Sequence, residues 1–217
     1  MSRPVEEAVH FAANGLDIEG RLAMTATTKR GVVLCHPHPQ YGGDMHNPVV
    51  LATAAALQDA GVATLRFNFR GVGASEGDYA GGRGEADDAR GAVEFLRRRV
   101  GAAPIALAGY SFGALVALRA GHDHAGVSHL AAIAPPLSMF DVGFLSGCTK
   151  PKLFVLGDRD QYCPLSALER CLNGLAEPKQ LHCVPGADHF FSGHEASIAQ
   201  TVAGFLTSAQ WPCEQSG

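Results

Sequence analysis

The sequence predicts an α/β fold: a mostly parallel, doubly wound sheet with helices on both faces and an antiparallel hairpin at its start. Three observations carry this. Short apolar runs alternate with helix-length segments nearly from end to end. The runs are apolar throughout, as strands covered on both faces are. Only the first 30 residues break the pattern, alternating polar and apolar positions instead. A chain of 217 residues buries roughly 70% of its unfolded surface without help from disulfides or metals. No linker, internal repeat or low-complexity tract divides it, so a single domain over 1–217 is expected.

The elements follow in order. "EEAVHFAANGLDIEGRLAMTAT" alternates around Asn14-Gly15, a dipeptide suited to a hairpin turn. "GVVLC" (31–35) reads as a buried strand. A helix is expected over 47–61, with Asn47 as cap, Pro48 at the first helical position and Gly61 as stop. "VATLRFNF" (62–69) is a strand, and 85–100 an amphipathic helix with acids first and arginines last. Strands at 104–110, 129–135, 151–157 and 179–186 alternate with helices at 112–121, 164–175 and 195–209. The stretch 136–151 is too short for an inserted lid.

Composition narrows the function. Hydrophobic residues make up 47% and charged residues 18%, and the net charge is -4 with no basic cluster. Nucleic acid and anionic membrane are therefore excluded as expected partners. No stretch approaches the length of a transmembrane span, and the first residues lack the apolar core of a signal peptide. The six cysteines (Cys35, Cys148, Cys163, Cys171, Cys183, Cys213) show no C-x-x-C spacing. Free thiols in a cytoplasmic protein are the expectation.

In a parallel α/β sheet, reactive groups gather at the carboxyl ends of the strands. Those loops supply Ser111 after "ALAGY", an acid in "GDRDQYCP" and His189 in "GADHFF". Ser111 stands between Gly109 and Gly113 at a strand-to-helix joint. Such a turn is tight, and its following helix aims amide groups and a positive dipole end at an anion. A serine hydroxyl needs a base to take its proton and a third group to orient that base. Asp160 is the first choice for that third group. Asp158 suits a loop-bracing role, Asp141 is a further candidate, and Asp188 sits too close to His189 to reach back to its ring.

"GYSFG" followed by an acid after a later strand and a histidine after the last one resembles the α/β-hydrolase family, over nearly the whole chain. "RFNFRGVGASEG" (66–77) is similar to the family's loop after its fourth strand. "HPHPQYGG" (36–43) resembles a subgroup of small, lidless bacterial serine hydrolases, carboxylesterase-like neighbours of the dienelactone hydrolases. The resemblance implies Ser111 as nucleophile, His189 as general base and then acid, and Asp160 as its orienting carboxylate. It implies the Phe112 backbone N–H as one oxyanion donor. The second comes from the loop after residue 35, where Pro37 replaces the family's usual glycine. Pro37 and Pro39 have no N–H, so His38 is the expected donor, with Gln40 behind it.

The resulting expectation is a serine hydrolase cleaving an acyl bond, most simply a carboxylic ester, on a small-molecule substrate and without metal or organic cofactor. Thioester, lactone or peptide cleavage on the same triad, or a non-catalytic binding module, are the alternatives. His36, His38, Asp44 and His46 could be read as metal ligands, although the prolines at 37 and 39 restrict them. The glycines at 71, 73 and 77 miss a dinucleotide-binding spacing by one residue, leaving Arg70 and Glu76 as loop braces. Monomer and homodimer are both compatible with the sequence.

Overall fold

The structure, a computed structural model, describes residues 4–25 and 28–208. Cys213, Ala209 at the end of the last expected helix, and Ala26 and Thr27 after the hairpin lie outside the described residues. Strands β1 (Glu7–Ala13) and β2 (Leu16–Ala23) form the expected hairpin, turning at Asn14-Gly15 with both residues at positive φ. β3 (Gly31–Cys35) is followed by helix α1 (Pro48–Asp59), β4 (Ala63–Phe67), α2 (Arg83–Val100), β5 (Ile105–Tyr110) and α3 (Phe112–Gly121). β6 (Val127–Ile133), β7 (Lys152–Gly157), α4 (Leu165–Asn173), β8 (Lys179–Val184) and α5 (Glu195–Thr207) complete the order.

The eight strands form one sheet in the order β1-β2-β4-β3-β5-β6-β7-β8. The β1/β2 and β2/β4 pairs are antiparallel and the other five are parallel. The chain leaves β3 toward β4 on one side, then crosses to β5 on the other. That reversal puts the carboxyl ends of β3 and β5 side by side, where a crevice forms in open α/β sheets.

Alternation of side chains along each strand builds two cores. Val32, Leu34, Ala106, Ala108, Ala131, Ile133 and Val155 face α1 and α5, meeting Val50, Leu57, Ile198 and Val202. Val33, Cys35, Leu107, Leu130, Ala132, Phe154 and Leu156 face α2 and α3, meeting Ala89, Val93, Leu96, Leu115 and Leu118. Every residue of β3, β4, β5 and β7 is buried, which explains why β3 and β5 are apolar throughout; Arg66 in β4 and Lys152 in β7 are buried with hydrogen-bond partners.

Boundaries differ from the sequence expectation by a few residues, each for a local reason. α2 starts at Arg83 because the Glu85 carboxylate turns back to accept the Ala80 and Gly82 N–H groups, making Glu85 the third helical residue. β4 ends at Phe67, since Asn68 leaves the sheet and its side chain binds Met45 N–H and Glu19. β6 begins at Val127, two residues early, and ends where Ala134 takes a positive φ before Pro135 and Pro136. Among the described residues no helix is long and apolar enough to cross a membrane.

Candidate active site

Ser111 lies at the carboxyl end of β5, in the middle of the sheet. Its φ of 55° and ψ of -121° place a non-glycine residue in a strained conformation. The strain is held by the Ser111 N–H donating to the Ile133 carbonyl at 2.8 Å and by α3 beginning at the next residue. The flanking glycines have a steric cause. A Cβ on Gly109 would collide with the Gly113 backbone, and one on Gly113 with the carbonyls of Cys35 and His36. Absent side chains let β5, α3 and the end of β3 meet at one point.

Ser111 Oγ is 2.9 Å from His189 Nε2, and His189 Nδ1 is 2.8 Å from Asp160 Oδ2. The Asp160 side chain is wholly buried. Its other oxygen accepts the N–H groups of Tyr162 (2.8 Å) and Cys163 (2.9 Å), so no lone pair is stranded. The remaining acids are occupied elsewhere. Asp158 accepts from Gly186 N–H, Asp188 from Phe190 N–H and Asp141 from Gly143 N–H. Asp158 thus ties the acid loop to the histidine loop. Arg159 N–H donates to the Ala187 carbonyl, and Gly157 leaves no room for a Cβ against that same carbonyl. Phe191, fully buried at φ 55°, anchors the histidine loop in the α1/α5 core. Tyr110 Oη donates to the His189 carbonyl at 3.0 Å, linking the residue before the serine to the histidine.

The loop after β3 forms the opposite wall. His38 caps a 3-10 turn over Pro39–Tyr41, its Nδ1 accepting Gln40 N–H at 3.2 Å. That bond commits the Gln40 amide. A neutral ring with Nδ1 accepting carries its proton on Nε2, which lies 3.2 Å from Tyr79 Oη. Burial holds the His38 imidazole below its ordinary pKa, favouring that neutral form. Its ring packs between Phe112, Tyr41 and Tyr79 at centroid distances of 4.7, 4.8 and 5.0 Å. As the first residue of α3, Phe112 has an amide with no partner inside the helix.

The histidines considered as metal ligands are dispersed. His36 Nε2 accepts Phe69 N–H at 3.0 Å, and its Nδ1 is 2.7 Å from the Pro37 carbonyl, so both ring nitrogens are used. His46 Nδ1 lies 3.4 Å from Arg66, and Asp44 accepts the His46 N–H. Among the described residues, no group of three or more His, Cys, Asp or Glu could hold a metal ion. Arg70 and Glu76 brace loops: Arg70 makes an ion pair with buried Asp88, and Glu76 accepts Asp17 N–H.

A cleft of about 610 Å³ opens over Ser111 and His189. Its walls are Pro37, Tyr41, Phe112, Pro136, Met139, Phe140, Tyr162 and Phe190, with polar groups from His38 and Asn47, and among the described residues no Asp, Glu, Lys or Arg lines it. The sequence reading missed the cleft's rim and the Tyr79–His38 contact. Tyr41, Tyr162 and Phe190 each stand in a strand-end loop, but those loops have no regular period that would show the three rings meeting at one rim.

Residues 26–142 match the sequence family described as Serine aminopeptidase, S33. An uncharacterized protein of Rickettsia prowazekii is 33% identical over 204 residues, covering 89% of this chain and 85% of its own length. Among solved structures, an α/β serine hydrolase homologue from Coxiella burnetii is 32% identical with a TM-score of 0.83, covering 93% of this chain and 97% of that one. A serine hydrolase without a lid from Xanthomonas campestris is 30% identical with a TM-score of 0.85, covering 96% of each chain.

Proposed function

Because the chain belongs to the α/β-hydrolase family and is a hydrolase by that membership, we propose that it is a serine esterase working in one domain through Ser111, His189 and Asp160. The observation that carries this reading is the unbroken hydrogen-bonded chain from Ser111 Oγ through His189 to buried Asp160.

In the proposed reaction His189 Nε2 takes the Ser111 proton as Oγ bonds to the ester carbonyl carbon. The resulting oxyanion is held by the amides of Phe112 and His38, aimed at where charge develops. Asp160 fixes the imidazole tautomer and stabilises its charged form. Collapse breaks the bond to the alcohol oxygen, which leaves with the proton from His189. Water then gives its proton to His189, adds to the acyl-enzyme, and releases the carboxylic acid while Ser111 regains its hydrogen.

The matching family, Serine aminopeptidase, S33, raises aminopeptidase activity as a second reading. An aminopeptidase must hold a substrate's free ammonium group, and a desolvated ammonium needs a carboxylate partner. Among the described residues the cleft's lining offers none, so a neutral ester is favoured.

The test is intact mass after exposure to a fluorophosphonate, with ester turnover measured in parallel. Wild type is expected to gain one adduct, and Ser111→Ala none, with turnover falling on the order of 10⁴-fold or more. A folded wild type that takes no label would overturn the esterase reading and favour a non-catalytic binding module.

A further inference from the structure

Large apolar side chains exposed at a surface mark contact sites when they cluster. Among the described residues six are exposed, and four of them, Tyr41, Met139, Tyr162 and Phe190, line the cleft. Two of these four touch the imidazole of His189. The Tyr162 ring lies 4.7 Å from it at 65°, and the Phe190 ring 5.7 Å from it at 90°.

Position beside the imidazole has a chemical meaning. In acyl transfer the leaving oxygen must sit against His189 Nε2 to receive its proton, while the oxyanion points to the amides on the other wall. Groups packed against the imidazole therefore border the alcohol half of the ester. Building on the esterase reading above, we propose that Tyr162 and Phe190 form an aromatic slot for the alcohol portion. The preferred substrates are uncharged esters whose alcohol carries a flat apolar group.

Three further observations support the assignment. Tyr162 is 40% exposed and Phe190 54%, leaving faces that a bound ring would cover. Tyr110, the third ring near His189 at 5.8 Å, is buried with its hydroxyl tied to the His189 carbonyl, so it supports the imidazole from below. The backbones at 162 and 190 are held independently of their rings. Tyr162 N–H binds Asp160 and its carbonyl accepts from Ser138, while Phe190 N–H binds Asp188. Truncating either ring leaves those bonds in place.

The test uses two isomeric esters, naphthylmethyl acetate with the ring on the alcohol side and methyl naphthylacetate with it on the acyl side. Wild type should favour the first by about ten-fold in kcat/KM, and the double variant Tyr162→Ala/Phe190→Ala should bring the ratio close to one. Equal losses on both esters would mean that the rings only support the imidazole, and an unchanged ratio would mean that they do not read the alcohol. Either result overturns the slot. If the double variant does not fold, the wild-type ratio and the milder Phe190→Leu decide the question. A wild type that takes the fluorophosphonate label yet shows no alcohol-side preference refutes this inference alone, whereas an unlabelled wild type removes the esterase reading beneath it. Faster cleavage of acetylcholine than of its neutral tert-butyl isostere would replace the uncharged slot with a cation-binding one.

Discussion

Replacing His36 by Gln removes a buried imidazole that joins the loop after β3 to the residues after β4. Its Nε2 accepts the Phe69 N–H, so the bond requires the neutral ring. Burial pushes the pKa of His36 down to about 4, with Pro37's carbonyl and Asp44 pulling weakly the other way. An unfolded histidine titrates near 6.5. Between those values the unfolded chain binds more protons than the folded one, so stability falls as pH falls. The contribution is whole above roughly pH 6.5 and is lost progressively toward pH 4. At about pH 5, roughly 1.5 of the 2.5 units have been traversed, which amounts to about 2 kcal/mol. His129, buried in β6 and also pushed down to about 4 by burial, acts in the same direction. Comparison of wild type with His36→Gln therefore isolates one histidine from the other. The measurement is urea unfolding across that pH range. Wild type should lose about 2 kcal/mol more than the variant between roughly pH 8 and pH 5. Parallel curves for the two proteins would refute the account of His36 as a neutral lock.

Further predictions address the site and its frame. Asp160→Asn keeps an oxygen for the Tyr162 and Cys163 amides but presents N–H to His189 Nδ1. Ester kcat should drop on the order of 10⁴-fold with little change in the urea midpoint. Asp158→Asn retains an acceptor for Gly186 N–H, so its activity should stay within about ten-fold of wild type; comparable losses in both variants would undo the assignment of roles. Gly113→Ala forces a Cβ into the carbonyls of Cys35 and His36. It should cost about 3 kcal/mol or more in chemical denaturation, and a variant as stable as wild type would show that the turn around Ser111 has room the geometry denies.

Much of this arrangement was legible in the residues. Unbroken apolar runs such as "GVVLC" and "PIALAGY" gave parallel strands because burial on both faces leaves no polar position, and Asn47-Pro48 marked a helix start through local hydrogen bonding and a fixed φ. Ser111, Asp160 and His189 could be placed on neighbouring loops because strand direction sends every parallel strand's carboxyl end to the same edge. The choice of Asp160 over Asp158 was less visible. Both lie in "GDRDQYCP", and only the folded loop shows one carboxylate reaching His189 and the other Gly186.

The periodic and chain-local features were thus determined by the sequence itself: the α/β class, the hairpin, the helix caps and the strained turn that needs glycines at 109 and 113. Tertiary structure alone decided how His38 is locked against Tyr79, why His36 is neutral, and which aromatic rings border His189. These contacts join loops as far apart in the chain as residues 38, 79, 112, 162 and 190. Their side chains follow no common period, so their meeting depends on the order in which the sheet lays its strands side by side.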